Sequence, residues 1–130
     1  SLAVLVAEDN EINALLATAL LTRLGHRPTV ATNGAAALDC WRAAHTSGAP
    51  YDLVLMDMRM PVMDGLTLLN ELRARRSPAR AVIVSASGDM QNIRTALNRG
   101  AFDFVTKPID FADFETTLHK TLRHVETVCA

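Results

Sequence analysis

The chain has 130 residues, of which 49% are hydrophobic and 21% charged, and its formal net charge is -1 at pH 7. This length suits one domain with one hydrophobic core, and the composition excludes an intrinsically disordered chain. The small net charge gives no electrostatic basis for binding nucleic acid or an anionic membrane, and no apolar stretch approaches the roughly 18–20 residues that span a bilayer.

Apolar runs that are typical of strands alternate with helical patterns along the chain. The first and third runs are continuously apolar, which indicates parallel strands buried on both faces. Strict alternation of strands and helices predicts right-handed crossovers, and therefore an α/β fold with a doubly wound parallel sheet. The predicted strands are Leu2–Ala7, Arg27–Ala31, Leu53–Met56, Ala81–Ser85 and Phe104–Thr106, and the predicted helices are Glu11–Leu24, Gly34–Ala44, Gly65–Arg75, Met90–Arg99 and Phe111–Val125.

The chain starts at Ser1, without Met, and enters a strand at once. We interpret residues 1–130 as one domain with its core over residues 2–125, excised from a longer multidomain protein. Cys40 and Cys129 have no metal-binding or redox spacing. We therefore expect reduced thiols and a cytoplasmic location for this domain, whether or not the parent protein is anchored in a membrane.

Acidic residues stand at the ends of two predicted strands. Glu8 and Asp9 follow the first strand, and Asp57 follows the third. The carboxyl ends of parallel strands face one crevice, so the three carboxylates are expected to converge there. Such a group is costly without a cation, and its oxygens suit a hard divalent metal such as Mg²⁺. One carboxylate is then a candidate nucleophile and the others are candidate metal ligands.

The first and last predicted helices carry apolar residues in two kinds of position. A stripe at helical spacing on the first helix is expected to face the core, together with four residues of the last helix. Three further apolar residues fall on the opposite side of the first helix, where we consider a partner-docking surface as well as incidental exposure. The core stripe is Asn13, Leu16, Ala17, Leu20, Leu21 and Leu24; the last-helix residues are Phe111, Phe114, Leu118 and Leu122; the docking candidates are Ile12, Leu15 and Ala19.

Motifs at the ends of four predicted strands, taken in order, resemble a known family. The set closely resembles the receiver domains of two-component response regulators, from about Leu2 to Val125, and the stretch Ala7–Asn13 is most similar to receivers attached to hybrid histidine kinases. This resemblance implies a flavodoxin-like (βα)5 fold with strand order 2-1-3-4-5. The residues that carry it are Glu8-Asp9, Asp57, Met60-Pro61, Asp64-Gly65, Ser85-Ala86 and Lys107-Pro108.

The resemblance implies that Asp57 accepts a phosphoryl group in a phosphorelay. The donor would be a phosphohistidine on a histidine kinase dimerisation and phosphoacceptor domain or on a histidine phosphotransfer protein. It also implies that Mg²⁺, for which Mn²⁺ can substitute, is bound by Asp9, Asp57 and the backbone carbonyl of Arg59, with Glu8 acting through a water.

Further residues are implied to hold the phosphoryl oxygens. These are the Lys107 ammonium, the Ser85 hydroxyl and the backbone N–H groups of Met58 and Ala86. Ser85 and Phe104 would also form a conformational switch, in which the hydroxyl moves toward the phosphoryl group and the ring turns inward.

Other functions remain as alternatives at this point. We expect self-phosphorylation and slow autodephosphorylation rather than conventional enzyme activity, in a hybrid kinase or in a stand-alone response regulator. A phosphatase of the haloacid dehalogenase type needs an acid two residues after its nucleophile, where Arg59 stands. A flavodoxin is disfavoured because Glu8 and Asp9 would repel a phosphate. Arg59 and Ser87 occupy positions that in this family tune phosphate hydrolysis.

Overall fold

The computed structural model describes residues 2–86, 88–107 and 109–129, with side chains described through residue 121 except at residue 111. The predictions for Ser87 and Pro108, and for the side chains of Phe111 and Leu122, lie outside this part. Within it, five strands and five helices alternate. The strands are β1 (Ala3–Ala7), β2 (Arg27–Ala31), β3 (Leu53–Asp57), β4 (Arg80–Ala86) and β5 (Asp103–Lys107); the helices are α1 (Glu11–Arg23), α2 (Gly34–Thr46), α3 (Gly65–Ala74), α4 (Met90–Asn98) and α5 (Phe111–Cys129).

The strands form one parallel sheet in the order β2-β1-β3-β4-β5, which confirms the predicted α/β fold and strand order. Its register aligns the carboxyl ends of the strands. Ala7 pairs with Met56 and Ala86 pairs with Lys107, while Asp57 is the last residue of β3. Side chains at and just beyond these ends therefore gather along one edge of the sheet.

Most boundaries differ from the prediction by one or two residues. The strands β3 and β5 include Asp57 and Lys107, which the sequence predicts to lie just after them. Backbone pairing continues past the apolar run because the ladder uses only main-chain groups, so a polar side chain at the strand end does not interrupt it. The helix α5 continues to Cys129, beyond the predicted end at Val125.

Apolar side chains cover both faces of the sheet, as expected for central parallel strands. One face packs under α2, α3 and α4, and the other under α1 and α5. The first core cluster includes Leu5, Met56, Ile83, Leu38 and Leu68, and the second includes Val6, Leu55, Val82, Leu21, Phe114 and Leu118.

Within the described residues, no helix combines the length and apolarity needed to cross a bilayer.

The inward stripe of α1 differs from the prediction at one residue. Leu16 is 40% exposed, so its assignment to the core was wrong, whereas Ala14 is buried beside Ala17 and Leu21. These three residues follow the i, i+3, i+7 spacing of one helical face, and Leu16 lies about 200° around the helix axis from Ala14. The apolar outer side of α1 is therefore larger than the sequence indicated.

The loop between β3 and α3 approaches the end of β3 closely. The Gly65 N–H donates to the Met58 carbonyl over 3.1 Å. A Cβ at Gly65 would collide with the carbonyl oxygen of Asp57 and lie 3.0 Å from the Met58 Cα. Only a residue without a side chain allows the first turn of α3 to sit this close to the end of β3.

The tip of the same loop is a γ-turn. The Met63 N–H donates to the Pro61 carbonyl over 2.7 Å, and the intervening Val62 has φ 68° and an exposed side chain. A positive φ is uncommon for a β-branched residue. Gly34 at the start of α2 donates its N–H to the Met63 carbonyl over 3.0 Å and so fixes the far side of the turn.

Candidate functional site

Three carboxylates converge at the carboxyl edge of the sheet, as the sequence predicted. Glu8 and Asp9 follow β1 directly, and Asp57 ends the neighbouring strand β3. One oxygen from each lies within 4.8 Å of the others. Glu8 and Asp57 are buried, whereas Asp9 is exposed. The group therefore has an inner part that is shielded from water and an outer part that a ligand can reach.

Lys107 brings a positive charge into this group from β5. Its Nζ lies 2.9 Å from Asp57 Oδ2 and 3.6 Å from Glu8 Oε1. Partial burial alone would lower the pKa of Lys107, but the hydrogen bonds and charges of Asp57 and Glu8 outweigh it and raise the pKa. Lys107 is therefore held as a cation against the carboxylate of Asp57.

The lysine does not fully balance the negative charge. Burial, followed by the close Asp57 carboxylate, raises the pKa of Glu8 to about 7, against the opposing effects of the Asn10 N–H and the Lys107 ammonium. The Asn10 N–H donates to Glu8 Oε2 over 3.2 Å. A divalent cation would relieve this excess charge, and carboxylate oxygens are ligands that suit Mg²⁺. The donor set therefore fits such an ion.

A pH dependence of stability is expected from Glu8. Its raised pKa means that the folded protein keeps a proton which the unfolded chain loses above about pH 4.5. Without divalent cations, the free energy of unfolding should therefore fall by up to about 3 kcal/mol as the pH rises from about 4.5 to about 7. Urea titrations in chelator at several pH values measure this change.

Glu8→Gln should remove this fall, because glutamine does not titrate. The matched variant Glu11→Gln changes an exposed glutamate in the first turn of α1 and should keep the wild-type pH dependence. Parallel pH profiles for wild type and Glu8→Gln would contradict the assignment of this titration to Glu8.

The second carboxylate oxygen of Asp57 faces a backbone donor. The Arg59 N–H donates to Asp57 Oδ1 over 3.2 Å. The Met58 N–H, which the sequence predicted as a phosphoryl donor, instead donates to the Val84 carbonyl over 2.8 Å. It extends the pairing of β3 with β4 by one residue, and donation from Met58 to a phosphoryl group stays a prediction. Arg59 provides the backbone N–H beside the carboxylate.

The other predicted residues lie on the two neighbouring strands. Ser85 is buried near the end of β4, next to the exposed Ala86, and Phe104 is half-buried on β5 against the core. The Ser85 hydroxyl donates to Asp89 Oδ2 over 3.3 Å. Sequence reasoning missed Asp89, although an aspartate directly before a helical pattern is a typical N-cap. The structure places these residues together, while their switching role stays a prediction.

An open crevice lies beside the carboxylates, with a volume of about 490 Å³. The exposed Arg59 side chain is on its wall. A guanidinium stays protonated and cannot serve as a general acid. Through this crevice, a small ligand can reach Asp9 and the end of β3. Its lining residues are Asp9, Met58, Arg59, Met60, Pro61 and Asp64.

The predicted docking residues on α1 are exposed. Ile12 is 75% exposed, Leu15 is 65% exposed, and Ala19 lies on the same outer side. Leu16 adds to this face, and Leu15 also lines a groove of about 480 Å³ between α1 and the edge strand β2. The outer face of α1 (Ile12, Leu15, Leu16 and Ala19) is thus a contiguous apolar surface beside the acidic group, which is typical of interaction sites.

The fold and the site together define a class of domain: a parallel (βα)5 sheet with an acidic group and a lysine at its carboxyl edge. A family model described as the response regulator receiver domain matches residues 4–119. The chain therefore belongs to the response regulator receiver domain family, which confirms the family resemblance of the sequence.

Several relatives place the chain in two-component signalling. The transcriptional regulatory protein ZraR of Escherichia coli (strain K12) is 33% identical over 127 residues, which cover 98% of this chain and 28% of ZraR. Two-component response regulator 24 of Arabidopsis thaliana is 33% identical over 126 residues, covering 97% of this chain and 88% of the relative. The receiver domain of Francisella response regulator 1452 has a TM-score of 0.83 at 27% identity, with 95% and 98% of the two chains covered.

Proposed function

We propose that this domain accepts a phosphoryl group on Asp57 from a phosphohistidine. The contact that carries this proposal is the 2.9 Å pair between Lys107 Nζ and Asp57 Oδ2, inside a group of three carboxylates. Such a pair leaves a cation beside the nucleophilic oxygens, at the place where phosphoryl charge arrives.

In the transfer step, a carboxylate oxygen of Asp57 attacks the phosphorus. The new O–P bond forms as the N–P bond of the phosphohistidine breaks. The electron pair of the N–P bond stays on the ring, which leaves as a neutral imidazole because its other nitrogen already carries a proton. The Lys107 ammonium, which contacts the Asp57 carboxylate before transfer, then contacts a phosphoryl oxygen. The Ser85 hydroxyl and the N–H groups of Arg59 and Ala86 donate to the remaining oxygens.

Asp9, Asp57 and the Arg59 carbonyl would hold Mg²⁺, with Glu8 acting through a water. When bound, this ion would offset the negative charge that builds up between the carboxylate and the phosphoryl group. Mn²⁺ offers similar ligand chemistry and would substitute. The deprotonated form of Glu8 would then be stabilised by the cation rather than opposed by Asp57.

Dephosphorylation would be slow, because residue 59 offers no base that could activate the attacking water. A water attacks phosphorus, the O–P bond to Asp57 breaks, inorganic phosphate leaves, and Asp57 regains its carboxylate. Arg59 stays protonated and cannot take a proton from that water. The domain would therefore hold a phosphoryl group as a signal and would not turn over substrates as a phosphatase does.

The partner would be a histidine kinase or a histidine phosphotransfer protein, and Ser85 with Phe104 would carry the conformational switch. ZraR is a transcriptional regulator by name, and this chain spans 28% of its length. The output of the parent protein is therefore a separate question from the chemistry of this domain. The stretch Ala7–Asn13 predicts that the domain is attached to a hybrid histidine kinase, and this attachment stays a prediction.

The amide spectrum of the domain tests the phosphoacceptor function. Mg²⁺ with beryllofluoride, an analogue of a bound phosphoryl group, should shift amide signals around Asp57 and β4, and a chelator should reverse the shifts. An unchanged spectrum would overturn the proposal.

Trp41 is a poor fluorescent probe of this site, because its side chain is buried near the other end of the sheet. Its Nε1 donates to the Ser77 hydroxyl over 2.9 Å, and Ser77 precedes β4.

Leu15→Glu tests the outer face of α1 as the docking surface. A charge there should slow transfer from the cognate phosphohistidine protein by about tenfold or more, because the apolar contact area is lost. Phosphorylation by the small donor phosphoramidate should not change. The measurement is the rate of label transfer from the purified partner.

Leu97→Glu is the matched control, since Leu97 is 37% exposed on α4 and away from α1. It should transfer at a rate close to wild type. Equal rates for Leu15→Glu and wild type would show that the exposed face of α1 is incidental to docking.

A further inference from the structure

The start of α4 differs from the starts of α1, α2 and α3. In those helices the N-cap side chain accepts a hydrogen bond from the third helical N–H: Asn10 over 3.0 Å, Asn33 over 2.8 Å and Asp64 over 2.8 Å. Asp89 occupies the same position at α4, yet within the described residues its side chain makes no such bond. An N-cap carboxylate that leaves its helix uncapped gives up a favourable interaction.

The Asp89 carboxylate is instead held on both sides by other side chains. Its Oδ2 accepts from the Ser85 hydroxyl over 3.3 Å. The Asn92 Nδ2 donates to Oδ1 over 2.9 Å and to Oδ2 over 3.1 Å. The backbone of Asp89 agrees with this, because its ψ of 51° departs from the extended values of 119° to 175° at the three capped starts.

The Ser85 hydroxyl has one proton to donate. Ser85 is 1% exposed near the end of β4, so its hydroxyl has little access to water and donates to another group of the protein or of its ligand. A bond to Asp89 and a bond to a phosphoryl oxygen on Asp57 are therefore mutually exclusive. Whatever draws the hydroxyl toward Asp57 leaves the Asp89 carboxylate short of one donor.

We propose that Asp89 is a positioning residue that restrains Ser85 in the unphosphorylated domain and caps α4 after phosphorylation. This inference rests on the proposed phosphoryl acceptance by Asp57. In the resting state, Asp89 and Asn92 hold the hydroxyl away from the site. When Ser85 turns to the phosphoryl group, the Asp89 carboxylate becomes free to accept from the backbone N–H of residue 92.

This change of acceptor by the Ser85 hydroxyl links the phosphoryl group to the first turn of α4. Each state has its own set of satisfied groups: Ser85 with Asp89 in one, and Ser85 with phosphoryl and Asp89 with the helix in the other. Both the attraction of a carboxylate to a helix N-terminus and the bond to the N–H favour the second arrangement once Ser85 has left.

Asn92→Ala tests the restraint without touching Ser85 or Asp89. Without its amide, the carboxylate should move toward the capping position more readily, so the affinity for beryllofluoride with Mg²⁺ should rise about threefold to tenfold. Gln91→Ala is the matched control, because it removes an exposed amide side chain from the same helical turn. It should bind beryllofluoride as wild type does.

Hydrogen exchange at the backbone amide of residue 92 supplies a second readout. In wild type, beryllofluoride should slow this exchange about tenfold, and Asp89→Ala should abolish the slowing. A purely structural role for Asp89 would change stability but not this ligand-induced protection.

The outcomes separate the two proposals. A wild-type domain that does not respond to beryllofluoride would overturn the phosphoacceptor function itself. A normal wild-type response, with unchanged affinity in Asn92→Ala and equal protection in wild type and Asp89→Ala, would overturn the role of Asp89 alone.

Discussion

Asp57→Asn should abolish phosphorylation of this domain by phosphoramidate and its amide-spectrum response to beryllofluoride. An amide nitrogen or oxygen in place of the carboxylate is too weak a nucleophile, and one ligand of the divalent cation is lost at the same time. The fold should persist, because the asparagine oxygen can still accept from the Arg59 N–H, as Asp57 Oδ1 does over 3.2 Å. Intact-mass measurement after donor treatment gives the phosphorylated fraction directly.

Asp64→Asn is the control for this experiment. Asp64 lines the same crevice, and its Oδ1 caps α3 by accepting from Thr67 N–H over 2.8 Å, a bond that asparagine retains. Its phosphorylated fraction should match that of wild type. A phosphorylated Asp57→Asn protein would show that another carboxylate, with Glu8 and Asp9 nearest, is the acceptor.

Gly65→Ala should destabilise the fold and impair the site together. The added Cβ would collide with the carbonyl oxygen of Asp57 and approach the Met58 Cα, so the end of β3 or the first turn of α3 must move. Overpacking of this kind costs roughly 2–3 kcal/mol. Because the displaced atoms belong to Asp57, the proposed acceptor, phosphorylation by a small donor should slow as well. Urea unfolding and the phosphoramidate rate measure the two effects.

Gly48→Ala separates crowding from conformational strain. Gly48 follows α2 with φ +82°, and nothing lies within 4 Å of a Cβ built there. The substitution should cost about 1 kcal/mol from the left-handed backbone alone and leave phosphorylation unchanged. Equal stability losses in the two variants would contradict a steric role for Gly65.

The strand ends could be predicted from the sequence because they depend on the sheet alone. Once the apolar runs indicate parallel strands, Glu8, Asp9 and Asp57 must meet at the same edge, and so must Lys107. No side-chain conformation is needed to predict that the three carboxylates converge. The contact between Lys107 and Asp57, fifty positions apart in the chain, also required the strand order that the family resemblance implied.

Individual hydrogen bonds could not be predicted in this way. Whether the N–H of Met58 or of Arg59 faces the carboxylate depends on how far the pairing of β3 with β4 continues, and the structure extends it by one residue. The bond from Ser85 to Asp89 depends on the turn that joins β4 to α4. Leu16 was misplaced because leucine suits either face of a helix, and only the packing of α1 on the sheet decides its side.

The position of Lys107 in the chain has a consequence for biosynthesis. The lysine lies on β5, which follows the other four described strands in the chain, and it reaches Asp57 only when β5 has paired with β4. A nascent or truncated chain that ends before β5 contains all three carboxylates but lacks their cation. Under the proposed function, such an incomplete chain would be a poor phosphoryl acceptor until β5 has joined the sheet.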